Sequence, residues 1–208
     1  MIGLIKKDFL LIKKSFTPIY LFAIIIAVLP LIKNPTFLVP IMSLVLFLLF
    51  SSQLLVTFNL DELANWNKNI SAMPISIYKE IASKYIVSFI LSILPLLILI
   101  LLSILTINSL NVSKGFIIYC IISGFMISCL YNSIVIPAAF KFGTNKCRLI
   151  LFIFVGVLTI IPILLNSLNI QIDYSSIKLS TSTFLVLSIL AILIITIISY
   201  TVSIKIKR

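Results

Sequence analysis

The 208-residue chain has no histidine, three cysteines, five glycines and only five acidic residues, and each shortage removes a class of function. Without histidine, and without two carboxylates spaced for acid–base work or metal ligation, hydrolysis inside a membrane and metal-centred chemistry both lack their groups. No catalytic residue, cofactor-binding residue or metal ligand is assigned. None of the glycines (Gly3, Gly115, Gly124, Gly143, Gly156) opens a G-x-x-x-x-G-K-[ST] phosphate loop. If the chain moves a solute uphill, another protein must supply the energy. Cys120 and Cys129 sit in one apolar run and Cys147 in a loop, a scatter with neither disulfide nor metal spacing. Packing is the role expected of all three.

Charge is scarce as well. Charged residues make up 10% of the chain against 62% hydrophobic, and the mean hydropathy is +1.30, which excludes a soluble globule. A hydrocarbon core of ~30 Å needs ~20 apolar residues per helix, and six stretches qualify: Phe16 to Ile32, Phe37 to Phe58, Tyr85 to Ile107, Phe116 to Phe140, Leu149 to Leu165 and Phe184 to Ile204. The expected fold is an all-α integral membrane protein, one six-span transmembrane domain over residues 1–208. As drawn, no span holds a charge in its interior. That disfavours a proton- or ion-coupled carrier, which keeps ionisable groups at mid-membrane. What polarity the spans have is hydroxyls and amides such as Asn132.

What is present is polar punctuation. Residues 1–15 read as an amphipathic helix lying in the interface, with Ile2, Ile5, Phe9, Ile12 and Phe16 at helical spacing and Lys6, Lys7, Lys13 and Lys14 on other faces. Asn59 to Tyr85 is the longest polar interruption and holds Asp61, Glu62, Glu80, Lys68, Lys79, Lys84 and the single tryptophan, Trp66. It reads as a short helix broken at Pro74, then Ser76 as the N-cap of a second helix that runs into the third span. Glu80 and Lys84 are spaced as an i,i+4 pair on that helix. Shorter polar segments are 141–148, with Lys141, Lys146 and Arg148, and 166–183.

Loop charge sets the orientation. Thirteen of the sixteen Lys and Arg residues fall in the N-terminal segment, the polar island, the 141–148 loop and the C-terminus; Lys33, Lys114 and Lys178 fall on the other side. By the positive-inside rule both termini and the island are cytoplasmic. The net charge of +11 is thereby accounted for by topology and lipid headgroups, without nucleic acid.

Three segments in order, LIKKDFLLIKK, DELANWNKNISAMPISIYKEIASKYI and PAAFKFGTNKCRLI, resemble the permeases of type 2 ATP-binding-cassette transporters, in particular the small six-span bacterial peptide and drug exporters. The resemblance covers most of the chain. It implies a subunit of the bacterial plasma membrane that forms the path for an apolar or amphipathic substrate such as a peptide, bacteriocin or drug. It also implies a homodimer or a second permease, and a separate cytosolic ATPase that binds ATP and Mg. The island would hold the coupling helix that docks on that ATPase, placing contact at Asp61, Glu62, Trp66, Met73, Pro74, Ser76, Lys79, Glu80 and Lys84. A second docking element would lie at Lys141, Gly143, Lys146 and Arg148. Ile77 and Asn145 depart from the family pattern, which commonly has a basic and an acidic residue at those places. Two other classes remain open: a non-transporting immunity or membrane-shielding protein, and the substrate-capture subunit of an importer. The orientation has a direct readout: in intact cells an impermeant thiol reagent should modify a cysteine placed at Ser176 and spare Cys147, and the reverse pattern would overturn the charge argument.

Overall fold

The structure, a computed structural model, describes residues 1–15, 35–71, 73–106, 114–167 and 181–207. They form seven helices: α1 (Ile2–Ser15), α2 (Pro35–Leu63), α3 (Trp66–Ser71), α4 (Ile77–Thr106), α5 (Lys114–Phe142), α6 (Thr144–Ser167) and α7 (Thr181–Lys207). Among the described residues there is no strand. Long apolar runs favour this outcome because a helix satisfies every backbone group within itself, where lipid offers none. Four helices contain segments long and apolar enough to cross a membrane: Met42–Leu63, Ile77–Leu101, Gly115–Phe142 and Ser182–Lys207. They coincide with the expected second, third, fourth and sixth spans. The expected fifth, Leu149 to Leu165, lies inside α6. The expected first span, Phe16 to Ile32, lies outside the described residues, as does most of the 166–183 loop.

One boundary differs from the sequence reading. Asn59 to Leu63, expected to open the island's short helix, completes the last turn of α2 instead, whereas α4 begins at Ile77, directly after Ser76, where the sequence places the start of the second helix. Helical hydrogen bonding continues past the apolar run because nothing in Asn59–Leu63 or Ile77–Lys84 interrupts it. Proline and glycine are missing from both stretches.

Helix α5 is the hub, packing most extensively on α7 and α2 and also on α4 and α6. Leu54, Leu55, Phe58, Val87, Leu91, Tyr131, Val135 and Ile136 form one core cluster; Met42, Leu46, Phe47, Leu99, Ile117 and Ile121 form another toward the opposite end of the helices. Helices α2 and α5 approach closely at Gly124, where an added Cβ would come within 2.5 Å of the fully buried Phe47 ring. A small residue at such a crossing is how membrane helices gain contact without a hydrophobic driving force.

Hydroxyls join the helices where apolar packing does not discriminate between registers. Ser128 Oγ of α5 lies 2.6 Å from Ser51 Oγ of α2 and 2.7 Å from Ser92 Oγ of α4. A second seam begins at a backbone defect. Pro137 has no N–H to give to the carbonyl one turn back, Ser133, and Ser199 Oγ of α7 donates to that carbonyl instead. Tyr85 OH of α4 then meets Ser199 Oγ at 2.6 Å and Ser203 Oγ at 3.0 Å. The proline thereby ties α5 to α7 and, through Tyr85, to α4. Ser199→Ala should cost roughly 0.6–1.7 kcal/mol of stability in detergent, the range of interhelical hydrogen bonds in membrane proteins. In a Pro137→Ala background, where the helix regains its own donor, the cost should shrink. Equal costs in the two backgrounds, measured as a thermal double-mutant cycle, would show that the freed carbonyl is irrelevant.

Candidate functional site

The chemically distinctive region is the end of the bundle where the polar island, the first helix and the chain's C-terminal end converge. All four described acidic residues lie there, and each is engaged. Lys84 Nζ of α4 is 3.0 Å from Asp8 Oδ1 of α1, 2.7 Å from Asp61 Oδ2 of α2 and 3.4 Å from Thr57 Oγ1. Lys7 Nζ contacts the other oxygen of Asp61 at 2.6 Å and Asp8 Oδ1 at 3.3 Å. Two cations and two carboxylates make a closed, neutral set. Its inner members are nearly sealed, with Asp8 at 1% and Lys84 at 3% exposure. Aromatic faces complete the shell: Lys7 lies 4.0 Å from the Trp66 ring centroid and Lys84 4.8 Å from that of Phe58.

Glu80, one turn before Lys84 and 5% exposed, forms an ion pair with Lys207 at the end of α7, and Lys207 also stacks over Phe140 of α5. The i,i+4 pair expected between Glu80 and Lys84 therefore does not form. Each takes a distant partner because the helix turns both into the bundle, where an unpaired charge is costly. Glu62 serves differently: its carboxylate accepts from the backbone N–H of Thr144 at 2.8 Å and from Thr144 Oγ1 at 2.6 Å. It thereby caps the first turn of α6. The α5–α6 turn that makes this possible passes through Gly143 at φ 78°, and a Cβ there would lie 3.1 Å from Glu62 Oε1. Glycine is required on both counts. Between these pairs lies a half-polar cavity of about 440 Å³, walled by Phe58, Asp61, Trp66, Glu80, Lys84 and Lys207 among others.

The island itself has the outline expected of it. α3 ends at Ser71, a turn follows at Met73 and Pro74, and Ser76 precedes α4 with its carbonyl accepting from Lys79 and Glu80 N–H. The nine expected contact residues divide by exposure. Met73, Pro74, Ser76 and Lys79 are exposed, with Met73 at 43%, and so is Glu62. Asp61, Glu80 and Lys84 are turned inward to ion pairs, Glu62 reaches the α6 terminus and Trp66 covers Lys7. In the second segment Lys141, Lys146 and Arg148 are exposed and Gly143 sits against Glu62. The Glu62 cap therefore joins the two segments that the sequence presents as separate loops.

Three features of this region differ from the sequence reading. Helix α1 buries Leu4, Asp8 and Ile12, with Ile5 and Phe9 partly covered, and leaves Ile2 83% exposed. Its contact face is thus rotated toward Asp8, because the carboxylate must reach Lys84. Cys147 is a fully buried residue of the first turn of α6. Burial, with the negative charge of Glu62 adding to it, pushes its thiol up to about 11. It would stay unreactive from either side of a membrane, so the exposed Asn145 is the position at which a probe cysteine reports orientation. Sequence reasoning also passed over Asp8, Lys7, Thr144 and Lys207. Asp8 had a signal, as the one carboxylate among four lysines in the first helix; Lys207 and Thr144 had none, since their partners are remote in the chain. Lys84→Met should destabilise the protein by about 3–5 kcal/mol, the usual cost of stranding a buried charge partner. Lys84→Met with Asp8→Asn should recover part of it, as read by thermal unfolding in detergent, and no difference between the two would mean that the cluster is solvated.

Comparison with known proteins gives one result. No curated protein and no solved structure matches the chain. A family model described as ABC-2 family transporter protein matches residues 3–207, nearly the whole sequence and every helix described above. The chain therefore belongs to the ABC-2 transporter family, whose members are the membrane components of ABC transporters and work with an ABC ATPase.

Proposed function

We propose that this protein is the permease of an ABC exporter in a bacterial plasma membrane, with both termini cytoplasmic. It would provide the path for an apolar or amphipathic substrate, a peptide, bacteriocin or drug, and pair with a second copy or a second permease. ATP and Mg belong to a separate ATPase subunit. The observation that carries the reading, beyond family membership, is the exposed elbow from Met73 to Lys79, mounted on helices that buried ion pairs hold together. The scarcity of charge in the spans agrees with a cargo that is itself apolar.

The mechanical logic follows from the contacts. A push on the elbow enters α4 at Ile77. One turn further on, Glu80 links α4 to the end of α7 through Lys207, and Lys84 links it to α2 through Asp61 and to α1 through Asp8. Ion pairs at low dielectric resist separation, so the ends of four helices would shift as a unit when the ATPase moves. In this reading the ATPase contact narrows to the exposed residues Met73, Pro74, Ser76 and Lys79, with Lys141, Lys146 and Arg148 beside them. Glu62, exposed and bonded to the start of α6, borders that surface, and Asp61, Trp66, Glu80 and Lys84 act behind it as its mount.

The tagged protein, extracted gently from its native membrane, should bring down a cytosolic protein with a phosphate-binding loop. Met73→Asp with Lys79→Glu should reduce that recovery by about tenfold or more, the equivalent of ~1.4 kcal/mol, without lowering the unfolding temperature, because both side chains are exposed. Phe152→Ala, on an exposed face of α6, should leave recovery unchanged. Absence of any such ATPase from the wild-type preparation would sink the motor-driven reading in favour of a shielding role.

A further inference from the structure

A groove of about 570 Å³ runs between α5 and α7 toward the polar end of the bundle, with Ile150 of α6 also in its lining. Ile134 and Ala138 of α5 face Ile198 and Val202 of α7 across it. Ala138 is buried, whereas Ile134, Ile198 and Val202 are 45%, 57% and 40% exposed, so the groove opens sideways, where lipid lies. Along α5 it extends from Ser133 to Lys141, about 12 Å at 1.5 Å per residue. That is most of the ~15 Å depth of one leaflet, half of the hydrocarbon core.

Its polarity is confined to one end. Ser133 Oγ donates to Leu130 O at 2.8 Å and Ser199 Oγ donates to Ser133 O, so both hydroxyl protons in the lining are committed. Among the described residues that line the groove, Lys141 is the one ionised side chain. Its Nζ lies 5.1 Å from the centroid of the Phe142 ring, and Lys146 Nζ lies 6.0 Å from the same ring. No carboxylate among the described residues pairs with either ammonium. Asp8 and Asp61 are taken by Lys7 and Lys84, Glu80 by Lys207, and Glu62 by Thr144. The mouth of an apolar groove one leaflet deep is thus ringed by cations without counter-ions.

We propose that this groove is a binding site for an anionic phospholipid of the adjacent leaflet. One acyl chain lies against Ile134, Ile198 and Val202, and the phosphate meets Lys141, with Lys146 beside it across the Phe142 ring. Entry of the chain exchanges hydrocarbon for hydrocarbon and supplies shape rather than driving force; preference rests on the charge of the head. A zwitterionic head would bring its own cation to Lys141 and Lys146, where no carboxylate receives it. The polar end of a second copy carries the same excess of lysine and arginine, so charge favours lipid over self-association. The site does not rest on the ATPase assignment. Lys141 borders that contact, and the test is therefore made without an ATPase.

Native mass spectrometry of the full chain, released from detergent micelles after titration with phosphatidylglycerol or with phosphatidylcholine of identical chains, reads the site directly. The wild type should retain one phosphatidylglycerol at least about tenfold more tightly than phosphatidylcholine. Lys141→Gln should weaken that retention about fivefold, the worth of one interfacial lysine, and Lys141→Arg should preserve it. Ile198→Trp, which fills the groove, should abolish it with Lys141 intact. Lys13→Gln with Lys14→Gln, two cations of α1 outside the groove, should leave it unchanged. All four substituted side chains are exposed, so folding should hold in every variant. Equal retention of the two lipids would overturn the proposal, as would a loss in the α1 variant as large as in Lys141→Gln, which would mean diffuse surface charge. Unchanged retention in Ile198→Trp would mean a head read without the groove, and a dimer dissolved by Ile198→Trp would give the groove to a second copy; either result overturns it too. No readout involves ATP or a partner, so failure here and failure of the exporter reading are separate results.

Discussion

A buried positive charge at Lys84 sets the terms for one whole end of this molecule. An ammonium 3% exposed is tolerable only with carboxylates in contact and its remaining protons bonded. Satisfying it draws in Asp61 from α2, Asp8 from α1 and, at longer range, Thr57. Asp61 and Asp8 then need a second cation, which Lys7 supplies, and Lys7 in turn lies against Trp66, the first residue of α3. One charge therefore dictates the rotation of α1, the inward side of the polar island and the place of the only tryptophan. The same rule one turn earlier draws Lys207, at the far end of the chain, to Glu80.

Charge and hydroxyl divide the bundle between them. At the polar end, ion pairs of long reach hold helices whose ends lie beyond the apolar runs. Deeper in, where an ion would be too costly, serine, tyrosine and asparagine take over: Ser51, Ser128, Ser92 and Asn132 run from α2 across α5 to α4, and Tyr85, Ser199 and Ser203 join α4 to α7. Pro137 and Gly124 contribute through what they lack. A missing N–H creates an acceptor for Ser199, and a missing Cβ admits Phe47.

The elbow at Met73 to Lys79, proposed as the ATPase contact, and the buried amide of Asn132 show how differently exposed and buried polar groups are written. An elbow that meets a partner must be exposed and punctuated, so it leaves Pro74, Ser76 and a local rise in polarity in the sequence. The buried amide leaves almost nothing. Asn132 is one amide in a long apolar run, and its surroundings depend on the α4 groups that its nitrogen reaches, Ser88 O and Ser92 Oγ.

Composition and periodicity alone determined that the chain lies in a membrane, that its elements are helices, and where its polar interruptions fall. These follow from the cost of taking backbone and charge into hydrocarbon, a cost counted residue by residue along the chain. Nearest-neighbour spacing also marked the break at Pro74 and the helix start after Ser76, since turn chemistry is local. It failed for the partners of the charges. Glu80 lies in ideal register for Lys84, yet both turn to residues on other helices, and the apolar stripe of α1 gave way to a face centred on Asp8. Helix rotation and long-range pairing are decided by how every buried charge is satisfied at once, which only the packed tertiary structure settles.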